Sequence, residues 1–413
     1  MRPDLEVPLP VPDDAWRTRP AAQQPDWPSV SELRDAVRRL ESLPVLVPAE
    51  ECERLRLRMA DVARGRSFLL QGGDCAETFD MITPEGVGAT RGTLRSMAAT
   101  LSDALAMPVV TMGRTAGQYA KPRSRNTETR GGVTLPVYRG DAVNGTEFTP
   151  EARTPDPGRL LRSRHVAAVT IGYLRELADE GDEFFVSHEG LLLDYEAALT
   201  RTDPRTGRRW AGSGHLLWIG ERTRDLDGAH VEYFSTVDNP IAVKLGPTAD
   251  ADTVLRLADR LDPEREPGRL TFISRMGSRA VRHVLPELVS RVAAEGFPTA
   301  WVCDPMHGNT VTAPSGHKTR YFNTVMDEIR GFFEVHRTLD TVAGGLHLEM
   351  TGRDVTECVG GTGGVSADDL ADRYESACDP RFNRAQSLEV AARVAELASK
   401  SPGPLRVSPT IYF

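Results

Sequence analysis

Four residues that lie far apart in the sequence carry side chains of the kind that bind transition metals. They are a thiol, an imidazole and two carboxylates, provided by Cys75, His307, Glu349 and Asp379. Such a mixture of soft and hard donors suits Mn²⁺, Co²⁺, Fe²⁺ or Zn²⁺ better than Ca²⁺ or Mg²⁺. Taken singly, Cys75 could be a small buried apolar residue and His307 a hydrogen-bonded loop residue. We interpret the four together as a metal site, provided that the fold brings them to one place.

A second set consists of cations that follow or interrupt short apolar segments: Arg114, Lys121, Arg123, Arg222, Lys244 and Arg275. The chain carries a net charge of −9, so a local concentration of cations indicates a binding site for anions. Guanidinium groups match the geometry of carboxylates and phosphates. Lys244 lies between Val243 and Leu245, where a lysine is either a snorkelling surface residue or a functional ammonium; we favour the second.

Eight apolar segments of strand length precede or contain these residues. They cover residues 68–71, 108–112, 184–187, 215–219, 241–245, 270–274, 299–303 and 345–348. Several of the intervals between them have the periodicity of amphipathic helices. Strands that alternate with helices indicate parallel βαβ units, and eight units predict a (β/α)₈ barrel of the triosephosphate isomerase type. An open doubly wound sheet is the alternative, although no glycine-rich nucleotide-binding motif follows the first segment.

A barrel would give the chemically active residues a common location. The C-terminal ends of all eight strands meet at one face, which holds the active site in such barrels. Each predicted strand ends near a charged or metal-binding side chain. We therefore expect one site at that face, with a metal and several cations for anionic substrates.

Length and composition limit the class of protein. On this interpretation the 413 residues divide into an N-terminal arm with helices over 1–66, a catalytic barrel over 67–400 and a C-terminal tail over 401–413. No segment approaches the ~18 consecutive apolar residues of a membrane span, and the acidic N-terminus lacks the features of a targeting signal. The five cysteines include no CxxC pair. With a negative net charge arguing against nucleic-acid binding, we expect a cytoplasmic protein that acts on small molecules.

The segments that contain these residues resemble the class II (plant-type) 3-deoxy-D-arabino-heptulosonate 7-phosphate (DAHP) synthases. The longest matching segments are LLQGGDCAE at 69–77, AGQYAKPRS at 116–124, WIGERTR at 218–224, CDPMHGN at 303–309, GFFEVHR at 331–337 and YESACDP at 374–380. Shorter ones are YRGD at 138–141, VKLGP at 243–247 and SRMG at 274–277. The resemblance extends from about residue 20 to residue 397, and motifs this long are specific.

The resemblance implies a (β/α)₈ barrel that condenses phosphoenolpyruvate with erythrose 4-phosphate to DAHP and phosphate, the first step of the shikimate pathway. Carried over by motif, the metal ligands are Cys75, His307, Glu349 and Asp379, and Mn²⁺ or Co²⁺ is the expected ion. The phosphoenolpyruvate site would consist of Arg114, Glu221, Arg222, Lys244 and Arg275, and the erythrose 4-phosphate site of Lys121, Arg123 and Ser124. We expect Lys244, Arg114 and His307 to be catalytic, with Lys244 as the candidate proton donor.

One feature departs from the regulated members of the family. Those members carry an additional helical pair between the second and third strands and an N-terminal extension. Here only one long helix fits between Asp156 and Asp182. We therefore expect an enzyme without feedback inhibition by aromatic amino acids, as in members that serve secondary metabolism, and a homodimer.

Some alternatives stay open at this level. The aldehyde could be the amino analogue used in aminoshikimate pathways, or the barrel could be a non-catalytic metal-binding regulatory subunit. Cys378 is the neighbour of Asp379. If Cys75 and Asp379 share one metal, we predict that Cys75 and Cys378 can form a disulfide when the metal is absent.

Overall fold

The computed structural model describes residues 14–179 and 181–399. Eight parallel strands form a closed barrel, in which each strand pairs with its neighbours in chain order and the last pairs with the first. The strands are β1 Phe68–Gly73, β2 Val109–Arg114, β3 Phe185–Glu189, β4 Leu216–Ile219, β5 Ile241–Leu245, β6 Leu270–Ser274, β7 Ala300–Cys303 and β8 Gly345–Glu349. All eight predicted segments are strands, so the barrel prediction is confirmed and the open sheet is wrong.

Helices surround the barrel and precede it. They are α1 Val30–Glu41, α2 Ala49–Ala63, α3 Pro84–Leu105, α4 Pro150–Arg153, α5 Gly158–Glu176, α6 Leu193–Ala198, α7 Ala229–Phe234, α8 Ala251–Leu261, α9 Val281–Ala294, α10 Phe322–Thr338 and α11 Arg384–Ser399. Three hairpins, Thr127–Arg130 with Val133–Pro136, Thr200–Thr202 with Arg209–Ala211, and Val311–Thr312 with Lys318–Thr319, lie in loops. Short 3₁₀ helices span Ala15–Thr18, Phe79–Met81 and Asp369–Ala371. In the described ranges, no helix is both long and apolar enough to cross a membrane.

Helix α2 closes one end of the barrel. Leu55, Met59 and Val62 recur at helical spacing and are fully buried. They pack in one cluster with side chains of the strands, including Leu69 and Val302. That end of the barrel is therefore a dry core, which leaves the opposite, carboxyl end of the strands for polar residues.

The parallel register brings distant residues to the same level at the carboxyl end. Gly73, the last residue of β1, pairs with Glu349 of β8 on one side and with Arg114 of β2 on the other. A Cβ atom at Gly73 would lie 2.6 Å from the carbonyl oxygen of Arg114, so only glycine allows this approach.

The predicted domain limits at residues 66 and 400 stay predictions, and the predicted tail over 401–413 lies outside the described residues.

Candidate active site at the carboxyl end of the barrel

The four predicted metal ligands converge at the carboxyl end of β1, β7 and β8. Cys75 Sγ and one carboxylate oxygen each of Glu349 and Asp379 all lie within 4.8 Å of one another. Cys75 Sγ is 3.8 Å from Asp379 Oδ2, and His307 Nε2 is 3.0 Å from Glu349 Oε1. Residues separated by up to 304 positions in the sequence thus form one cluster.

The composition of this cluster fits a divalent cation. Three acidic groups share a space with little access to water, and the Lys121 ammonium contacts both Cys75 Sγ and the Asp379 carboxylate. Burial opposes ionisation of Asp379, but the charge of Lys121 lowers its pKa. Burial raises the pKa of the Cys75 thiol well above its ordinary value. A thiol and two carboxylates close to one another, with an imidazole beside one of the carboxylates, are a donor set that a borderline divalent metal would satisfy.

Asp304 connects the histidine of this cluster to Lys244. Its Oδ2 atom accepts hydrogen bonds from His307 Nδ1 at 2.7 Å and from Lys244 Nζ at 2.8 Å. Burial opposes the charge of Asp304, yet the charges of His307 and Lys244 lower its pKa well below the usual range. Because His307 Nδ1 donates to Asp304, Nε2 is the ring nitrogen available to a metal. We did not predict this role, although Asp304 lies only three residues before His307.

Arg114 and Lys244 both lie over the ring of Trp218. The guanidinium carbon of Arg114 is 5.2 Å from the ring centroid, and Lys244 Nζ is 5.4 Å from the same centroid. Arg114 also forms an ion pair of 3.2 Å with Glu349. The ring attracts both cations, so Trp218 stabilises them despite their repulsion. The sequence contained no signal for this role of Trp218.

Beneath Arg114 the barrel interior contains a chain of buried polar side chains. Arg114 Nη1 contacts His347 Nε2, and His347 Nδ1 lies 2.7 Å from Gln71 Oε1. Gln71 Nε2 then donates to Ser187 Oγ at 2.8 Å, and Ser187 Oγ donates to a backbone carbonyl. Burial and the neighbouring cations lower the pKa of His347 well below its ordinary value, so the ring is neutral. This series of hydrogen bonds holds the Arg114 guanidinium from the barrel interior, and the sequence did not predict it.

The remaining predicted phosphoenolpyruvate residues lie around Gly246. Glu221 Oε2 accepts a hydrogen bond of 2.6 Å from the Gly246 amide, and Arg275 Nη2 donates to the His307 carbonyl at 3.3 Å. A Cβ atom at Gly246 would lie 3.0 Å from both Arg275 Nη1 and the Glu221 carboxyl carbon. Arg222 is exposed and lines, with Glu221 and Arg224, a cavity of about 890 Å³. The residues predicted to bind phosphoenolpyruvate therefore lie at the same end of the barrel, with Arg222 at the outer edge of the group.

The loop after β2 carries the residues predicted for erythrose 4-phosphate. The Glu77 carboxylate holds the first part of this loop, because it accepts hydrogen bonds of 2.9–3.1 Å from the backbone amides of residues 116, 117 and 118. Ser124 is exposed, and Arg123 Nη1 lies 3.9 Å from Cys378 Sγ. The ammonium of Lys121 points into the metal-ligand cluster, and its assignment to erythrose 4-phosphate stays a prediction.

Cys378 interacts with Cys75, and this interaction lowers the pKa of Cys378 to about 7. All five cysteines are in the free form. The disulfide between Cys75 and Cys378 stays a prediction.

Glu189, at the end of β3, is a further acidic group of the site that we did not predict. Its Oε1 atom is buried and has no hydrogen-bond partner among residues 14–179 and 181–399. Burial raises its pKa, which the charges of Lys244 and His307 partly offset.

Comparison with known proteins gives a consistent result. A model of the class-II DAHP synthetase family matches residues 11–182 and 178–395. A protein of Streptomyces coelicolor named phospho-2-dehydro-3-deoxyheptonate aldolase is 52% identical over 434 aligned positions, which cover 93% of this chain and 96% of that protein. Phospho-2-dehydro-3-deoxyheptonate aldolase AroG of Mycolicibacterium smegmatis is 43% identical over 457 positions, covering 95% and 97%. A solved DAHP synthase structure from Thermotoga maritima covers 81% of this chain and 69% of its own, at 15% identity and a TM-score of 0.42, which is too distant to add to the argument.

Proposed function

Since the chain belongs to the class-II DAHP synthetase family, we propose that the residues gathered at the carboxyl end of the barrel are the catalytic machinery of a 3-deoxy-7-phosphoheptulonate synthase. The enzyme condenses phosphoenolpyruvate with erythrose 4-phosphate and releases phosphate. The observation that carries the site assignment is the convergence of Cys75, His307, Glu349 and Asp379 beside Arg114 and Lys244. Metal ligands and anion-binding cations thus lie within one site.

Two anionic substrates must lie side by side for carbon 3 of phosphoenolpyruvate to reach the aldehyde carbon. The residues proposed to bind phosphoenolpyruvate are Arg114, Arg222, Arg275 and Lys244, with Glu221 holding the loop around Gly246. Lys121, Arg123 and Ser124 are proposed to bind erythrose 4-phosphate, the last two at its phosphate. Prearranged cations offset the repulsion between the two substrates and cost no rearrangement during the reaction. A divalent metal bound by Cys75, His307, Glu349 and Asp379 would polarise the aldehyde as a Lewis acid.

Lys244 is the proposed proton donor. Attack by carbon 3 turns the aldehyde oxygen into an alkoxide, which requires a proton. Burial lowers the pKa of Lys244, although Asp304 partly offsets this, so its ammonium is a stronger acid than an exposed lysine. Water then adds at carbon 2, where positive character has developed, and the adduct expels phosphate.

The metal assignment predicts that activity depends on a transition metal, for which we propose Mn²⁺ or Co²⁺. Excess chelator should abolish turnover, and either ion should restore it. His307→Ala should lose bound metal, measured by elemental analysis, with its thermal midpoint preserved because His307 lies at the rim and not in the core. The exposed His283 on α9 provides the control variant His283→Ala, which should keep its metal. Full activity in excess chelator would contradict the assignment.

We also propose that the regulatory helical pair is absent. Both relatives align over more positions than the 413 residues of this chain, so each has residues without a counterpart here. The two pieces of the family match meet at residues 178–182, in the connection between α5 and β3. This is the place where we expected the insertion to be missing. We further propose that the enzyme is a homodimer, that it is located in the cytoplasm and that it serves secondary metabolism.

A further inference from the structure

The segment that precedes α1 is tied to the active-site end of the barrel. Trp16 packs edge-on against Tyr233 of α7 with ring centroids 6.3 Å apart, and the Ala229 amide donates to the Pro20 carbonyl at 3.0 Å. Gln24 Nε2 donates to the carbonyl of Leu191 at 2.7 Å, just after β3. The described part of this arm, residues 14–29, is thereby held against two loops that surround the site.

Gln23 is the residue of the arm that touches a proposed substrate loop. Its Oε1 atom accepts a hydrogen bond of 2.8 Å from the backbone amide of Arg123. Its own carbonyl accepts from Arg139 Nη1 at 3.1 Å. Gln23 has a φ of 63°, a left-handed conformation that residues other than glycine rarely adopt. The anchors at Pro20 and Gln24, on either side, hold this conformation and direct the side chain to the loop.

Arg139, which donates to the Gln23 carbonyl, also forms hydrogen bonds with both ends of the loop over residues 121–126. Its carbonyl accepts a hydrogen bond of 2.8 Å from the Lys121 amide, and its Nη2 atom donates to Asn126 Oδ1 at 2.8 Å. Gln23 therefore contacts the middle of the 121–126 loop directly and its two ends through Arg139. Residues 124–126 are exposed, and the Asn126 carbonyl also accepts a hydrogen bond of 3.0 Å from the Val137 amide. At Arg123, however, the backbone amide is held by Gln23.

We propose that Gln23 is a positioning residue for the aldehyde substrate, because it holds Arg123 and Ser124 in the conformation that receives the sugar phosphate. The inference rests on the proposed function, which assigns those two residues to erythrose 4-phosphate. A loop that is ordered before binding loses less entropy when the substrate arrives. The N-terminal arm is then part of the active site, and it acts on one of the two substrates.

Gln23→Met tests this role, because methionine has nearly the same length and shape but no strong acceptor. We expect the KM for erythrose 4-phosphate to rise about 3- to 10-fold, the effect of losing one ordinary hydrogen bond. The KM for phosphoenolpyruvate and the thermal midpoint should stay near those of the wild type. Amide hydrogen exchange at Arg123 should become faster. Thr18→Ala is the control, since the Thr18 hydroxyl donates to the carbonyl of Ala15 and, among the described residues, bonds to no other group.

The reference variant Arg123→Ala separates failure of this inference from failure of the proposed function. If Arg123→Ala raises the KM for erythrose 4-phosphate and Gln23→Met does not, the positioning role is wrong and the substrate assignment stands. If both variants leave that KM unchanged, the assignment of the loop is wrong. Equal increases in both KM values together with a lower thermal midpoint would show that Gln23 only stabilises the fold, which overturns the inference.

Discussion

Arg275 and Lys244 have different contacts in the site. We propose that Arg275 binds substrate, and that Lys244 both binds substrate and donates a proton. Arg275 donates to one backbone carbonyl, whereas Lys244 is buried between Asp304 and the ring of Trp218. Arg275→Ala should lower kcat/KM for phosphoenolpyruvate by roughly 10- to 150-fold, the effect of losing a charge-assisted contact. Lys244→Ala should lower kcat as well, because it also removes the proton donor. The exposed Arg279 provides the control Arg279→Ala, which should behave as the wild type. Wild-type kinetics in either test variant would refute that residue's assignment.

A second prediction at the scale of single residues concerns a disulfide between Cys75 and Cys378. Interaction with Cys75 lowers the pKa of Cys378 to about 7, so its thiolate is accessible near neutral pH. Oxidation of metal-free protein should join the two sulfurs and remove the Cys75 ligand. Peptide mass spectrometry should find this crosslink, and a reductant with added metal should restore activity. Cys378→Ser should resist the inactivation. Oxidised, metal-free protein without the crosslink would end the proposal.

Helix α10 carries a buried histidine that should make the stability of the protein sensitive to acid. His336 packs against Phe332, with ring centroids 4.5 Å apart, and burial lowers its pKa from 6.5 to about 3. The native state therefore keeps the ring neutral, while the unfolded chain takes up a proton below pH 6.5. The stabilisation is complete above pH 6.5 and decreases by about 1.4 kcal/mol per pH unit as the pH falls toward 3.

His336→Phe should remove this contribution to the pH dependence, since phenylalanine does not titrate. Urea unfolding at pH 7 and at pH 5 measures the free energy of unfolding of both proteins. The wild type should lose more stability than the variant between the two values. His283→Phe, at an exposed position on α9, is the control and should keep the wild-type dependence. Equal losses in the wild type and His336→Phe would mean that His336 does not remain neutral.

Regulation belongs to the scale of the whole molecule, because feedback requires a second site that is coupled to the active site. Such coupling is typically ~1–3 kcal/mol. The crossover from β2 to β3 contains α5, and the family match is interrupted at residues 178–182. The proposed absence of the regulatory helical pair predicts that phenylalanine, tyrosine and tryptophan do not inhibit at sub-millimolar concentration, singly or in pairs. Steady-state titration and calorimetry check this. Strong inhibition by any of the three would show that another surface supplies the site.

The barrel and its strand ends followed from the sequence alone. Parallel strands are buried on both faces, so each reads as a short apolar segment, and the eight predicted segments agree with β1 to β8 within a few residues. Chain order then places the following residues at one face. Cys75, His307 and Glu349 could be grouped for this reason, whereas Asp379 lies well beyond the last strand and was added by its residue type and by the resemblance.

The contacts between those residues depended on the tertiary structure. Asp304 joins His307 to Lys244, Trp218 supports Arg114, and Gln23 reaches Arg123 from 100 residues away. The contact of the Lys121 ammonium with Cys75 and Asp379 was not predicted either. Side-chain hydrogen bonds require atoms to lie within about 3 Å at defined angles, and that geometry is set by strand register, barrel curvature and loop conformation together. A local sequence pattern determines which elements form and in what order, whereas the distances between side chains exist only once the barrel has closed.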